Sequence, residues 1–142
     1  MTAQVHKLQP EPPPCRYGLG RALAEDLSAV AERLLSSLEQ QGFQIVFRLD
    51  YADKFSATGA GPFPPYQIWG VCHLQHMSRA LSAEPAVGLL FPSHLILFSN
   101  AAGDTVVMAK DPARIMDLLR HPTAIEAAMG IGDLLERIID EL

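Results

Sequence analysis

The stretch that decides the fold runs from Gln67 to Phe98 and reads QIWGVCHLQHM at residues 67–77 and LLFPSHLILF at residues 89–98. Each half contains an apolar run of strand length that meets polar residues at one end. Three of the five histidines and one of the two cysteines lie in or beside these strand ends: His73, His76, His94 and Cys72. Because binding groups are commonly displayed where strands end, we expect ligand chemistry in this stretch.

Alternation predicts a strand over residues 66–73 with two distinct faces. One face carries Tyr66, Ile68, Gly70 and Cys72, and the other carries Gln67, Trp69, Val71 and His73. A helix is predicted over residues 74–83, closed by the Glu84-Pro85 step. Strands at residues 94–99 and 105–110 flank the turn NAAGD and predict a hairpin.

The flanking sequence extends this pattern in both directions. Upstream, we predict a short strand at residues 16–23, a helix at 24–41 with a left-handed cap at Gly42, and a strand at 43–50. Alternation in the last strand predicts one well-buried face that carries Phe43, Ile45, Phe47 and Leu49. A short helix follows at residues 51–56.

Two helices are predicted downstream of the hairpin. One starts at Asp111-Pro112 and the other follows Pro122, with Gly130 and Gly132 in its middle as signs of a bend or of close packing. The whole pattern predicts an α+β fold, in which an antiparallel sheet has its helices packed on one face.

The opposite face of that sheet would then be uncovered. Under this prediction it carries apolar Val46, Trp69 and Val71 beside polar Gln44, Arg48, Gln67 and His73. A face of this kind is too apolar to be left in water. We therefore expect it to meet a second copy of the chain, since twofold homodimers are the commonest assembly.

Composition limits the classes of function. Apolar residues make up 49% of the 142-residue chain and charged residues 19%, an ordinary globular balance. Prolines at positions 10 and 12–14 predict a flexible tail over residues 1–15, followed by a single domain over 16–142. The net charge of −5 argues against a nucleic-acid partner, and scattered basic residues argue against a membrane. The absence of a signal-peptide pattern and of a cysteine framework favours a cytoplasmic protein.

Several phrases, in their order along the chain, resemble the family called domain of unknown function 302. They are LEQQGFQIVFRLD at residues 38–50, QIWGVCHL at 67–74, ALSAEPAVGLL at 80–90, FPSHLILF at 91–98 and GDTVVMAKDP at 103–112. The resemblance implies a compact α+β fold of the TATA-binding-protein-like type, commonly dimeric, with no settled activity. Two positions depart from the family pattern: His73-Leu74 stands where Asn-Pro is usual, and Ser93 where Cys is usual.

A metal or haem site is the most specific ligand hypothesis for the chain. Imidazole and thiolate suit zinc, copper or iron, so the candidate metal ligands are His73, His76, His94 and Cys72. Cys72 and His73 alternate in the strand, which makes the three histidines the better set. For a haem-like cofactor, the candidate binding residues are His94, His73 and Trp69, with the apolar face as a pocket. The plain alternative is a buried core cysteine and solvated histidines.

The sequence favours a binding module over an enzyme, and no catalytic residue is predicted. Ser93 and His94 are adjacent in a strand, so their side chains point apart and cannot form a Ser–His pair. Two other functions stay open. One is a redox or sulfur-handling protein that uses Cys72 as its thiol, and the other is a protein-interaction module that uses the Trp69 face and the proline-rich tail.

Overall fold

The computed structural model describes residues 15–59 and 61–142, and in these ranges the alternating segments form five strands and the helical segments four helices. In chain order they are β1 (Gly18–Leu23), α1 (Leu27–Gln40), β2 (Phe43–Asp50), α2 (Tyr51–Ala57), β3 (Tyr66–His73), α3 (Leu74–Ala83), β4 (Ser93–Ser99), β5 (Thr105–Lys110) and α4 (Pro122–Asp140). The predicted proline-rich tail lies outside the described residues, except for Cys15.

The five strands form one antiparallel sheet in the order β1-β5-β4-β3-β2. The β4–β5 hairpin lies inside the sheet, with β4 as its middle strand. This arrangement confirms the predicted α+β fold with an antiparallel sheet. No helix in the described part of the chain is long and apolar enough to cross a membrane.

Helices α1, α3 and α4 pack on one face of the sheet and enclose the main core. The helix residues buried there recur at helical spacing, which is why these segments form amphipathic helices. The largest fully buried side chains of the helices and of this sheet face are Trp69, Leu34, Leu38, Leu95, Leu97, Ile139, Val30, Val71 and Val107. Each large apolar side chain buried in this way contributes about 1.5–3 kcal/mol to folding.

The other face of the sheet, called here the open face, carries the alternate residues. They include Phe47, Ile68, Gly70, Cys72, His94, Ile96, Phe98, Val106 and Met108. One end of this face holds a small second apolar cluster around Phe98, Val106 and Met108. Helix α2 lies near the same end of the open face through aromatic side chains. The ring of Tyr66 stacks on that of Phe98 with a centroid distance of 5.5 Å, and its centroid lies 6.5 Å from that of Tyr51 in α2.

Strand β2 does not keep the single buried face that was predicted for it. The register of β2 against β3 shifts between Ile45 and Phe47, so that Val46 is an extra, exposed residue. Such a bulge turns the side chains that follow it to the other face. Phe43 and Ile45 therefore pack under the helices, whereas Phe47 and Leu49 lie on the open face.

The prediction that Trp69 and Val71 lie on the uncovered face was wrong. The two faces of β3 contain the predicted residues, but the face of Trp69, Val71 and His73 is the one that the helices cover. Alternation states which side chains share a face, and it does not state on which face the helices pack.

The segment between β5 and α4 also differs from the prediction. In place of a helix from Asp111-Pro112, the chain forms two 3₁₀ turns at Pro112–Arg114 and Met116–Leu118. Helix α4 then runs through its glycines. Gly130 contacts the His76 ring of α3, and a Cβ atom at this position would lie 2.6 Å from Cε1 of His76. The sequence indicated either a bend or close packing at these glycines, and Gly130 is a position of close packing.

Candidate ligand site

His94 lies on the middle strand of the sheet and points to the open face. The strand register places Gly70 of β3 opposite His94 on one side. The pairing of Leu95 with Ala109 and of Gly18 with Lys110 continues this row into β5 and β1. Gly18, Lys110, His94 and Gly70 thus form one line across the open face. Among these groups, the imidazole is exposed and Lys110 is half-buried.

Gly70 and Gly20 allow neighbouring side chains to lie directly on the backbone of the open face. A Cβ atom on Gly70 would lie 2.3 Å from the Phe47 ring, so this ring lies directly over the glycine, with its centroid 5.8 Å from that of His94. On the other side, a Cβ atom on Gly20 would lie 2.5 Å from Cγ of Met108. Glycine permits these close approaches because it has no side chain.

A groove of about 260 Å³ runs beside His94 along β1 and β5. It is lined by Cys15, Tyr17, Gly18, His94, Ile96, Met108, Ala109 and Lys110. Apolar atoms and glycine backbone therefore form most of the groove, and the basic residues in its described lining are His94 and Lys110.

A larger depression of about 580 Å³ lies along the edge strand β2 and α1. It is shallow and open to solvent, and it is lined by Leu35, Glu39, Phe43, Gln44, Ile45, Phe47 and Arg48. Because this lining contains neither histidine nor cysteine, the smaller groove is the better candidate for ligand chemistry.

The structure does not bring the four predicted metal ligands together. Cys72 and His94 lie on the open face, whereas His73 and His76 lie on the helix side of the sheet. Within residues 15–59 and 61–142, no three His, Cys, Asp or Glu side chains are grouped as metal ligands. His94 is therefore separated by the sheet from the two histidines expected beside it.

His73 and His76 form a pair at the start of α3. Nδ1 of His73 accepts a hydrogen bond from the backbone N–H of His76 at 3.4 Å, which caps the helix, and the two ring centroids are 4.6 Å apart. Burial lowers the pKa of His76, and the neighbouring His73 and Arg79 lower it further, while Glu126 opposes the shift. Nδ1 of His76 is buried, and no group in the described part of the chain forms a hydrogen bond with it. The two histidines thus have structural roles: His73 caps α3, and His76 packs against Gly130.

Cys72 is half-buried on the open face, one strand away from His94. Burial raises the pKa of its thiol. A nucleophilic or redox-active thiol needs the opposite shift, toward a stable thiolate. The position of Cys72 therefore gives thiol chemistry no support.

Trp69, predicted as a cofactor-binding residue, has no exposed surface. Its Nε1–H donates to Oε1 of Gln67 at 2.9 Å, and the guanidinium group of Arg48 covers its ring. Trp69 thus belongs to the core, which also removes the tryptophan surface that the interaction-module hypothesis required.

Sequence reasoning missed Lys110 and the glycine positions as parts of the site. The signal for Lys110 was present, because a hairpin with a known turn places it opposite His94. The contact of Phe47 with Gly70 had no such signal, since it depends on the bulge at Val46.

The chain matches the family model described as Domain of unknown function DUF302 over residues 20–142. This match spans most of the chain, and the protein belongs to the DUF302 family. The function of this family is uncharacterised.

A crystal structure of an uncharacterized conserved DUF302 protein from Bacillus stearothermophilus has the same fold. The two structures superpose with a TM-score of 0.81 at 24% sequence identity, over 89% of this chain and 98% of the other. No curated protein has significant similarity to the sequence.

Proposed function

We propose that the chain is a homodimeric binding protein that holds a metal- or haem-like ligand on the open face, with His94 as the ligand-binding residue. The observation that carries this proposal is the position of His94. It is an exposed imidazole on the middle strand, and its neighbours Phe47, Ile96 and Met108 are apolar. A polar ligating group within an apolar surface is the usual composition of a small-molecule site.

The size of the groove supports a site shared by two copies. Its volume of about 260 Å³ is slightly below the lower limit of about 300 Å³ for typical ligand pockets. A second copy placed on the same face would close the groove and remove the apolar side chains from water. If the twofold axis passes close to His94, the two His94 side chains would approach one ligand, because residues near such an axis face their own copies.

A single imidazole favours a haem-like group over a bare metal ion. Protein sites for bare transition metals use three or four side-chain ligands. A haem macrocycle supplies four nitrogen ligands itself, so it needs only one or two ligands from the protein. His94 is the one histidine that the structure places on the open face among the described residues.

The test is a titration of the purified protein with hemin, followed by the absorbance of the haem Soret band. We expect saturable binding, and we expect the variant His94→Ala to lose it. The matched control is His121→Asn, because His121 is also exposed and Asn keeps an acceptor for the N–H of Thr123 at the start of α4.

Native mass spectrometry of the same samples measures the number of chains. We expect the unmodified protein to be a dimer with bound hemin. We expect His94→Ala to lose both the hemin and the dimer. Unchanged hemin binding by His94→Ala, or a chain that stays monomeric at tens of micromolar, would contradict the proposal.

A further inference from the structure

Lys110 and His94 both line the groove, and among residues 15–59 and 61–142 no acidic side chain lines it. The whole chain has a net charge of −5. The lining therefore presents a local positive charge on an otherwise acidic molecule, and this charge lies next to an apolar surface.

Lys110 has no anionic partner in the described part of the chain. Its Nζ donates one hydrogen bond, to the carbonyl oxygen of Leu90 at 2.7 Å, and lies 5.1 Å from the centroid of the Phe91 ring. Burial lowers the pKa of the ammonium group, and no carboxylate offsets this shift. Since an ammonium group has three N–H donors, two remain for another partner.

The neighbouring carboxylate of Asp111 is engaged elsewhere. Its Oδ1 accepts a hydrogen bond from the backbone N–H of Ala113 at 3.0 Å, and its Oδ2 lies 3.9 Å from Nε of Arg114. Asp111 thus starts the 3₁₀ turn after β5 and does not compensate Lys110.

Ile96 and Met108 form an apolar surface next to this cation. Both side chains lie on the open face in the row that follows Lys110 and His94, and the register pairs them directly. A ligand that fits the groove thus needs a negative end and an apolar body, because a half-buried cation is stabilised by an opposite charge and an apolar surface by burial.

We propose that the ligand of this groove is an amphiphilic carboxylate, with its carboxylate bound by Lys110 beside His94 and its apolar body lying on Ile96 and Met108. The inference rests on the ligand site of the proposed function and names its ligand class. A haem-like group with carboxylate side chains has this chemistry, and so does a simple alkyl carboxylate.

The experiment uses octanoate as the probe and 1-octanol as its neutral counterpart. Binding of each to the full-length protein is followed by NMR through the methionine methyl groups labelled with ¹³C. We expect octanoate to shift the Met108 methyl signal and to bind about tenfold more tightly than octanol. A tenfold difference in affinity is what one hydrogen bond to a charged group contributes.

Two variants assign this preference to Lys110. Lys110→Met keeps the aliphatic stem and removes the charge, and we expect it to bind octanoate no better than octanol. Lys110→Arg keeps the charge, and we expect it to retain the preference. Equal affinities of octanoate and octanol for the unmodified protein would overturn the proposal without any variant, which keeps the test valid if Lys110→Met does not fold.

Shifts confined to the other methionine methyl groups would also overturn it. The outcome is separable from that of the haem titration. A Lys110-dependent preference for octanoate without hemin binding supports the anion site and contradicts the haem-like ligand. Hemin binding that needs His94 and is unchanged in Lys110→Met contradicts the anion site alone.

Discussion

The guanidinium carbon of Arg48 lies 4.1 Å from the centroid of the Trp69 ring, on the side of the sheet that the helices cover. The bulge at Val46 places Arg48 there, because a regular strand would have turned it to the open face. Arg48 also approaches Oε1 of Gln67, which accepts the hydrogen bond from the indole of Trp69. One side of the only tryptophan of the chain is thus covered by an exposed arginine.

Arg48→Ala should open the outer side of Trp69 to water. We expect a red shift of the tryptophan emission, faster quenching by acrylamide, and a loss of about 0.5–1 kcal/mol in the free energy of unfolding, as for an exposed cation–π contact. Arg114→Ala is the matched control, since Arg114 lies near Asp111 and away from the indole. Emission that is unchanged in Arg48→Ala would contradict the role of this contact.

Gly70→Ala should destabilise the protein, because the added methyl group meets the Phe47 ring. We expect a cost of about 1–3 kcal/mol, the usual range for overpacking. In a Phe47→Ala background the same substitution should cost clearly less, since the ring is absent. Urea unfolding of the two single variants and the double variant measures the coupling, and additive effects would show that the ring does not restrict position 70.

Stability should fall as the pH is lowered from about 7.5 through the usual pKa range of histidine, because of His76. Its pKa is lower in the folded state than in the unfolded chain, so the unfolded chain binds the additional proton first and acid favours unfolding. His76→Gln should reduce this slope of the unfolding free energy between pH 7.5 and 5.5.

An equal slope in His76→Gln and the unmodified protein would show that another group carries the pH dependence in this range.

Glu84 joins the end of α3 to the start of α4. Its Oε1 accepts hydrogen bonds from the backbone N–H groups of His121 and Arg120, both at 2.8 Å, and these bonds lower the pKa of the carboxyl group. The stabilisation is present above the unfolded-state pKa near 4.5 and is lost as the pH falls through the folded-state value.

Glu84→Ala should therefore lower the melting temperature at pH 7, and Glu84→Gln should lower it less, because the amide keeps an oxygen acceptor. The difference between Glu84→Ala and the unmodified protein should shrink as the pH falls below 4. A difference that is constant from pH 7 to pH 3 would exclude the charged form as the source of the stabilisation.

Local sequence determined the elements of this protein. Alternation defined β3, helical spacing defined α3, and breakers such as Gly42 and Pro122 set the limits of their neighbours, because each of these signals acts over a few residues. The order of short phrases along the chain also identified the family. His94 and Cys72 were recognised as residues of strand ends for the same reason.

Only the tertiary structure decided on which face the helices pack. Trp69 is a core residue and His94 an open-face residue because α1, α3 and α4 pack on the face of Trp69, and this packing depends on contacts between distant segments. The register of a hairpin places Lys110 opposite His94, and Phe47 contacts Gly70 across two strands whose register the bulge shifts. Side-chain period is a property of a single strand, whereas the choice of its buried face is made by the partners that cover it.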